Sequence, residues 1–416
     1  PYGMTLRQVV LNKELWSYLC DKYEVHVKTS VNIQKHDEIG IHEIIIPQRN
    51  IINSVLIGLH TINKMSTILD FLVENNLGEH LVFRLKYIDN FASKLFISYF
   101  LDRAIKIAKV FRIDQLRSFL SVRVSQVKKE NYIFVLVTHI SDTMSEIEAL
   151  AANKLNLPVI TYTLGMDNYR HGRILFKPDL MLMWGDEQHY EFATWHRNDF
   201  NSIEDIKCET VGNLIYDTYL QCANNSKLDQ YIRDKKACDY EGYVLVPAMS
   251  ESILPGGSEL VRSLIKYFKE RKIKYLVIVR SLPGSEDKKI WHQLEKEYIN
   301  ELLIYEPSAG SFDKRGAINV FMIEEEMLEV EIFSAMLLES KLVVNLYPST
   351  VTLDAYLFNT PVIVPLFDWV DSNNEEINEH SFNKILFSKL ATHPSHKEFN
   401  PVFSYDELFK VMDDII

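Results

Sequence analysis

Cysteine is scarce in this chain, and so are the other marks of a secreted or membrane-spanning protein. Its 416 residues include four cysteines, Cys20, Cys208, Cys222 and Cys238, and no two of them form a Cys-x-x-Cys pair. The composition therefore excludes a disulfide scaffold and favours a reducing compartment. No apolar run reaches the ~18–20 residues of a spanning helix, and the first residues lack a secretion signal. We expect a cytoplasmic protein.

Positive charge is in the minority as well. Lysine and arginine number 45 against 57 aspartates and glutamates, for a net charge of −12. A field of this sign repels polyanions, so nucleic acid is not an expected partner. Basic residues interspersed with phenylalanines do cluster between Lys86 and Arg123. This stretch is either a solvated face or a contact with an anionic membrane surface, and peripheral association with the inner face of the membrane stays open.

Hydrophobic residues, at 47%, are plentiful enough for large cores. A single core stops growing near about 250–300 residues, so this length predicts two domains. Runs rich in Val, Ile and Leu alternate with segments of helical period, which is typical of parallel sheets covered by helices. The predicted fold class is α/β. We place a first domain at residues 1–223, a polar linker at 224–239 and a second domain at 240–416.

The predicted elements follow this alternation. The strands are expected at Glu24–Val27, Glu43–Ile46, Tyr132–Thr138, Val159–Tyr162, Leu180–Trp184, Cys208–Val211, Tyr243–Pro247, Lys274–Arg280, Leu302–Tyr305, Leu342–Leu346 and Pro361–Val364. The helices are expected at Leu6–Tyr23, Ser145–Lys154, Ser258–Arg271, Glu326–Glu339 and Tyr405–Ile416. No strand precedes the loop Pro1–Arg7, although in a Rossmann-like unit such a loop follows the first strand and points its backbone to the ligand. We therefore expect a strand ahead of this loop and take Gly3 as a binding candidate.

The best candidate for a binding site is the turn Asn345–Thr350, where an apolar strand is followed by a helix with a hydroxyl-rich start. Backbone N–H groups and the helix dipole favour an anion there, and Ser349, Thr350 and Thr352 add hydroxyl donors. Asp354, about one turn further on, is placed to accept from ribose hydroxyls. The alternative is a plain Ser/Thr cap with Asp354 complementing the dipole.

A second candidate is Arg280, which ends a predicted strand. Ligands of open α/β sheets bind at the carboxyl ends of strands, and a guanidinium suits a diphosphate. An arginine there is on its own more often a surface charge, but the Ser349-Thr350 turn in the same domain favours binding. The loop holding Ser250 borders the same edge, so Ser250 is a further candidate. The alternative for that loop is a turn shaped by Gly256 and Gly257.

Candidates for a general base lie in the first half of the chain. His139 and Asp142 occupy a loop between the strand Tyr132–Thr138 and a helix, where side chains with accessible proton acceptors suit that role. The alternative for Asp142 is a helix cap. Asp167 lies in the next polar loop, Thr163–Gly172, and is a further candidate base.

The same polar loop also holds candidates for a second ligand. So many polar groups between two apolar strands are costly to bury without a partner. The loop's candidates for shaping a pocket are Asp167, Asn168, Arg170 and His171. The alternative is an ordinary turn, which Asp-Asn sequences also favour.

The order of the motifs carries a resemblance that spans nearly the whole chain. The motifs are Gly165-Met166-Asp167-Asn168, Pro178-Asp179, Trp184-Gly185-Asp186, Gly212-Asn213-Leu214-Ile215-Tyr216-Asp217, Arg280 and Ser349-Thr350-Val351-Thr352-Leu353-Asp354. In this order they resemble the GT-B glycosyltransferases, especially the bacterial surface-polysaccharide enzymes related to glycosyl and glycerophosphate transferases. The sequence departs from that pattern at Asp354, where glutamate is commoner, and at Ser281-Leu282-Pro283, where a Pro-His-Pro type of turn is usual.

The resemblance implies two Rossmann-like domains facing each other across a cleft. The N-terminal domain would bind a saccharide or lipid-linked acceptor, and the C-terminal domain would hold a nucleotide-diphosphate sugar through Arg280 and the Ser349-Thr350 turn. Asp142, His139 or Asp167 would deprotonate the acceptor hydroxyl, without a metal or a cofactor other than the donor substrate. The alternatives are a UDP-N-acetylglucosamine 2-epimerase-like enzyme, a glycerophosphotransferase and a non-catalytic nucleotide-binding relative.

Overall fold

The computed structural model describes a large part of the chain. The described residues are 8–28, 32–33, 41–45, 124, 132–138, 143–162, 176–186, 188–189, 192–193, 206–223, 225–236, 239–248, 256–281, 288–307, 311–312, 318–321, 323–346, 349–367 and 400–416. The chain divides into two compact units, one of residues 1–8, 26–30 and 43–214 and one of residues 9–25, 31–42 and 215–416.

Helices and strands alternate along the described chain as the sequence predicts. The strands are β1 (Val25–Lys28), β2 (Asn32–Ile33), β3 (Ile41–Ile45), β4 (Val135–Val137), β5 (Val159–Tyr162), β6 (Leu180–Met183), β7 (Lys207–Thr210), β8 (Gly242–Pro247), β9 (Tyr275–Arg280), β10 (Leu302–Tyr305), β11 (Ser311–Phe312), β12 (Ile318–Phe321), β13 (Ser340–Val344), β14 (Val362–Pro365) and β15 (Pro401–Val402). The helices are α1 (Lys13–Lys22), α2 (Thr143–Lys154), α3 (Tyr216–Cys222), α4 (Asn225–Lys235), α5 (Gly257–Glu270), α6 (Lys288–Glu297), α7 (Ile323–Glu339), α8 (Thr350–Leu357) and α9 (Tyr405–Ile415). Every strand predicted from the sequence is present within a few residues of its expected limits.

The first unit contains a four-stranded sheet in the order β4-β5-β6-β7. All of its neighbouring strands are parallel. Helix α2 packs against β4 and β5. The apolar side of this arrangement is filled by large side chains, with Phe176 and Phe192 each 1% exposed. The Asp179 carboxylate accepts from the backbone N–H of Val159 at 2.7 Å, so this residue of the Pro-Asp motif fixes the start of β5.

The second unit is built on a six-stranded sheet in the order β10-β9-β8-β13-β14-β15. Its neighbouring strands are all parallel. In chain order this is 3-2-1-4-5-6, the order of the doubly wound nucleotide-binding sheets. Right-handed crossovers place α5 and α6 on one face and α8 on the other. The predicted α/β class with two parallel, Rossmann-like sheets is confirmed.

The face of this sheet that carries α8 also carries α7, which contacts β8, β13 and α8. Helices α3 and α4 pack on α7. Residues 225–235, which the sequence analysis placed in a linker, thus form a helix of the second unit. The predicted domain limits themselves stay a prediction.

The predicted helix Leu6–Tyr23 is wrong as one continuous helix. Helix α1 begins at Lys13, and the side chain of Asn12 caps it by accepting from the backbone N–H of Leu15 at 3.1 Å. Asparagine competes with the helix backbone for its own hydrogen bonds, and it therefore ends one helical segment and starts another.

Four short strands were not predicted from the sequence. β2, β11, β12 and β15 have two to four residues each, too few to show an alternating pattern. The first three form a separate small sheet in the order β11-β12-β2. None of the helices in the described residues combines the length and the apolar composition of a membrane-spanning segment. The same part of the chain holds no group of three His, Cys, Asp or Glu residues arranged to bind a metal ion.

Candidate functional site

The carboxyl edge of the six-stranded sheet brings several strand ends to one level. Arg280, the last residue of β9, is in register with Pro247 of β8 and with Tyr305 of β10. On the other side of β8, Val343 is in register with Leu245, so Asn345 continues the same row. Strands lie about 4.8 Å apart, which puts the Cα atoms of Arg280 and Asn345 about 10 Å apart.

This edge includes the point where the chain reverses its direction of winding. From β8 the connections run through α5 to β9, and from β13 they run through α8 to β14 on the other side. The gap between the two helix starts at such a switch point is where doubly wound sheets bind their ligands. The β8 side enters α5 through Gly256, whose φ of 90° is left-handed and favours glycine.

The turn between β13 and α8 is organised by Asn345. Its side-chain amide donates to the Ser349 hydroxyl oxygen at 3.3 Å and to the Thr352 hydroxyl oxygen at 2.8 Å. Asn345 and Thr352 are each 1% exposed, whereas Ser349 is partly exposed. Because the amide occupies an acceptor site on each hydroxyl, each hydroxyl keeps its own hydrogen for donation.

Ser349 stands at the N-cap position of α8 but does not cap the helix. Its backbone is extended, and its side chain makes no capping hydrogen bond to the first turn. Its hydroxyl oxygen instead accepts from Asn345. The N–H of Thr352 donates to the Ser349 carbonyl oxygen at 3.0 Å. Among the described residues, the first N–H groups of the helix lack a side-chain acceptor, and a serine that can donate lies next to them. This is an arrangement suited to an anion.

Thr350 and Asp354 complete the predicted turn. Thr350 is the first residue of α8 and is partly exposed. Asp354 lies one turn further along α8 and is 5% exposed. Its carboxylate is thus largely enclosed within the unit, and the predicted contact with ribose hydroxyls stays a prediction.

Arg280 is held by an acidic partner that the sequence analysis did not identify. Its Nη2 atom donates to Glu329 Oε1 at 2.8 Å, and the guanidinium lies 4.5 Å from the centre of the Phe333 ring. The hydroxyl of Tyr305 donates to the other oxygen of Glu329. We call Arg280, Glu329 and Tyr305 the edge triad.

Charge in the edge triad is balanced internally. Burial by itself lowers the pKa of Arg280, but the Glu329 carboxylate, together with Tyr305 and Tyr219, raises it, and the net shift of the pKa is upward, so the guanidinium stays charged. Burial also raises the pKa of Tyr305, and the neighbouring Glu329 carboxylate raises it further. The triad therefore holds one positive and one negative group and a neutral hydroxyl.

In the first unit, Tyr162 links the motifs that follow the strand ends. Its hydroxyl donates to Asn213 Oδ1 at 3.2 Å and accepts from the backbone N–H of Leu214 at 3.0 Å. The backbone N–H of Trp184 donates to Gln188 Oε1 at 2.8 Å. The Gly-Asn and Trp-Gly-Asp motifs thus take part in fixing the loops at the carboxyl edge of this sheet.

Several predicted site residues lie outside the described part of the chain. These are Gly3, His139, Asp142, Asp167, Asn168, Arg170, His171 and Ser250. Helix α2 begins at Thr143, two residues before the start expected at Ser145. Among the described candidates, the structure brings Ser349 and Thr352 together through Asn345 and places Arg280 two strands away.

Sequence reasoning missed Asn345, Glu329, Tyr305 and Tyr162 as parts of these networks. Asn345 is the first residue of the predicted turn Asn345–Thr350, but no feature of the sequence distinguishes it from its neighbours. Glu329 lies in a run of glutamates typical of a solvated face. Its spacing of four residues from the apolar Phe333 was the one available signal, because residues four apart share one face of a helix.

Comparisons with known proteins concern the fold alone. No protein-family model matches the chain, and no curated protein matches it in sequence. The S. aureus MnaA–UDP co-structure is similar at 14% identity, covering 86% of this chain and 93% of that one, with a TM-score of 0.41. The UDP-GlcNAc 2-epimerase from Methanocaldococcus jannaschii is similar at 15% identity, covering 73% and 76%, with a TM-score of 0.43. The N-terminal domain of Candida albicans trehalose-6-phosphate phosphatase is similar at 11% identity, covering 98% and 94%, with a TM-score of 0.44.

These TM-scores lie below 0.5. A likeness of this degree does not indicate an activity.

Proposed function

We propose that the chain is a glycosyltransferase that binds a nucleotide-diphosphate sugar at the carboxyl edge of the second unit's sheet. The observation that carries the proposal is the turn after β13. There a serine at the N-cap position of α8 leaves the helix start uncapped, and Asn345 turns the serine into a donor. Phosphate oxygens are the acceptors that such a helix start prefers.

Arg280 supports the same proposal from two strands away. A diphosphate leaving group gains negative charge as its bond to the sugar breaks, and fixed donors stabilise that charge. With a guanidinium at one end of the row and hydroxyl and backbone donors at the other, the edge can contact both phosphates. Thr350, Thr352 and Asp354 then belong to the nucleotide side of the site, and Ser250 to the loop beside it.

The remaining roles fall to the first unit. One of Asp142, His139 and Asp167 deprotonates the acceptor hydroxyl, and Asn168, Arg170, His171 and Gly3 bind a saccharide or lipid-linked acceptor. The proposed reaction needs no bound metal, and a chelator should leave its rate unchanged. We place the reaction in surface polysaccharide biosynthesis, in the cytoplasm or at the inner face of the membrane.

Product analysis tests this function and separates it from its nearest alternative. The chain is incubated with UDP-, GDP-, CDP- and dTDP-linked sugars, with and without saccharide acceptors, and the nucleotide and sugar products are separated. A transferase releases nucleoside diphosphate quickly only when the acceptor is present. Conversion of the nucleotide sugar to an epimer without acceptor would identify an epimerase instead.

A variant separates the base from the donor site. Asp142→Asn should lower turnover while donor binding survives, because a general base acts on the acceptor and not on the nucleotide. Full turnover in this variant would assign the base to His139 or Asp167. Unchanged turnover in all three single variants would contradict a catalytic role for this set.

A further inference from the structure

Glu329 is enclosed and fully committed to two partners. Its side chain is 1% exposed, one oxygen accepts from Arg280 Nη2 at 2.8 Å, and the other accepts from Tyr305. The three residues come from different elements, α7, β9 and β10. Both carboxylate oxygens are therefore occupied, and Glu329 is not placed to take a proton from a substrate.

Stability alone does not explain a carboxylate at this position. Removing the water around a buried ion costs several kcal/mol, and apolar residues of similar volume often replace a buried ion pair at no loss of stability. An ion pair with a second hydrogen bond does fix the orientation of the side chains, since both oxygens of the carboxylate have defined partners.

Arg280 uses little of its hydrogen-bonding capacity in this arrangement. Of the five N–H groups of a guanidinium, one donates to Glu329, and within the described chain Nε has no hydrogen-bond partner. One face of the guanidinium is covered by the Phe333 ring at 4.5 Å. Nε is buried, but the Arg280 side chain as a whole is 19% exposed, so the residue is not fully enclosed.

We propose that Glu329 and Tyr305 are positioning residues that hold the Arg280 guanidinium in place for the phosphates of the donor. Glu329 fixes one end of the guanidinium, and Tyr305 fixes Glu329. The remaining N–H groups of Arg280 can then bind an anion while the side chain is already fixed in one rotamer. This lowers the entropy cost of binding. This inference rests on the proposed function, because the guanidinium that it describes belongs to the proposed donor site.

Two substitutions separate position from charge. Glu329→Gln removes the negative charge but retains the length, an oxygen that accepts from Arg280 and an amide that can donate to Tyr305. Glu329→Asp retains the charge but is shorter by one methylene, so it cannot reach both partners. Tyr305→Phe removes only the hydroxyl that fixes Glu329, and Glu331→Gln, a partly exposed position on the same helix, is the control.

The measurement is calorimetric titration of the full chain and its variants with inorganic pyrophosphate and with nucleoside diphosphates. We expect Glu331→Gln to bind both probes as tightly as the unaltered chain. Glu329→Gln, which keeps an acceptor for Arg280 at the same reach, should bind them more tightly than Glu329→Asp. Glu329→Asp should bind them about tenfold more weakly and Tyr305→Phe about threefold to tenfold more weakly, because each loosens a charge-assisted contact. A circular-dichroism melt of each variant confirms that it is folded.

The outcomes separate this inference from the proposed function. Unchanged affinity in both Glu329→Asp and Tyr305→Phe overturns the positioning role, even if nucleotides bind. So does a loss of affinity in Glu329→Gln when Glu329→Asp keeps the affinity of the unaltered chain. Binding of pyrophosphate with the expected variant pattern, but of no nucleotide, supports the positioning role and removes the proposed function. No binding of either probe by the unaltered chain overturns both.

Discussion

The side-chain amide of Asn345 lies 2.8 Å from the hydroxyl oxygen of Thr352, and this contact ties the end of β13 to the first turn of α8. The same amide reaches Ser349. A strand end and a helix start are thus held by one buried residue, which fixes the geometry of the turn between them.

Replacing Asn345 with alanine should weaken both folding and binding. The variant leaves the buried Thr352 hydroxyl without its donor, at a cost of about 1–3 kcal/mol in the free energy of unfolding. It also frees Ser349 to rotate into the capping position, so nucleoside diphosphates should bind less tightly. Urea denaturation and calorimetric titration measure the two effects. Unchanged affinity would show that Asn345 does not prepare the turn for a ligand.

Replacing either of two serines at N-cap positions with alanine should have different effects. Ser404 accepts from the backbone N–H of Glu407 at 3.1 Å and caps α9, whereas Ser349 makes no capping bond to α8. Ser404→Ala should therefore lower stability by about 0.5–2 kcal/mol, typical of a lost cap. Ser349→Ala should cost less than Ser404→Ala and instead lower nucleoside diphosphate affinity. A Ser349→Ala variant that loses stability and keeps its affinity would assign Ser349 to capping.

Arg280→Ala should lower stability as well as diphosphate affinity. It leaves the Glu329 carboxylate, 1% exposed, without its cation. Breaking a buried pair in this way costs about 3–5 kcal/mol. The control is Lys207→Ala, which breaks an exposed pair with Glu209 (68% and 52% exposed) and should cost about 0–1 kcal/mol. Equal losses in the two variants would show that the Arg280–Glu329 pair is effectively solvated.

Tyr162→Phe should destabilise the chain at neutral pH and reduce its sensitivity to alkali. Burial raises the pKa of Tyr162 above its ordinary value of 10.0, and the hydrogen bond from Leu214 opposes part of that rise. The unfolded chain therefore loses this proton first, so the free energy of unfolding falls as the pH rises above about 10.

The variant removes that part of the alkaline fall and, at pH 7, leaves the Leu214 N–H without its acceptor, at a cost of about 1–3 kcal/mol. Urea midpoints at pH 7 and at several values above pH 10 measure both effects. Tyr18→Phe, at a residue 56% exposed, is the control. An alkaline slope identical to that of the unaltered chain would contradict the assignment to Tyr162.

The strands of the two large sheets could be predicted because buried parallel strands are continuous apolar runs, as Val244–Val246 and Leu276–Val279 show. The ends of such strands located Arg280 and the Ser349 turn. The partners of these residues could not be predicted in the same way. Glu329 reaches Arg280 from 49 positions along the chain, and Asn213 reaches Tyr162 from 51. Contacts at such separations depend on the packing of whole elements and leave no local pattern.

The failed prediction of one helix over Leu6–Tyr23 has a local cause. Its apolar spacing is consistent with a helix throughout, but Asn12 accepts from Leu15 and starts a new helix there. The periodicity of the apolar residues alone does not indicate that a residue inside an amphipathic segment caps a helix.

A thermal-shift panel of UDP, GDP, CDP, ADP and dTDP on the unaltered chain and on Ser349→Ala shows whether a nucleoside diphosphate binds at the start of α8. A ligand at 100 times its dissociation constant stabilises the folded state by about 2.7 kcal/mol. We predict a clear rise in the unfolding temperature with one of these nucleotides and a smaller rise with the same nucleotide in Ser349→Ala. No rise with any of them, or an equal rise in both proteins, would contradict a nucleotide-diphosphate site at the start of α8.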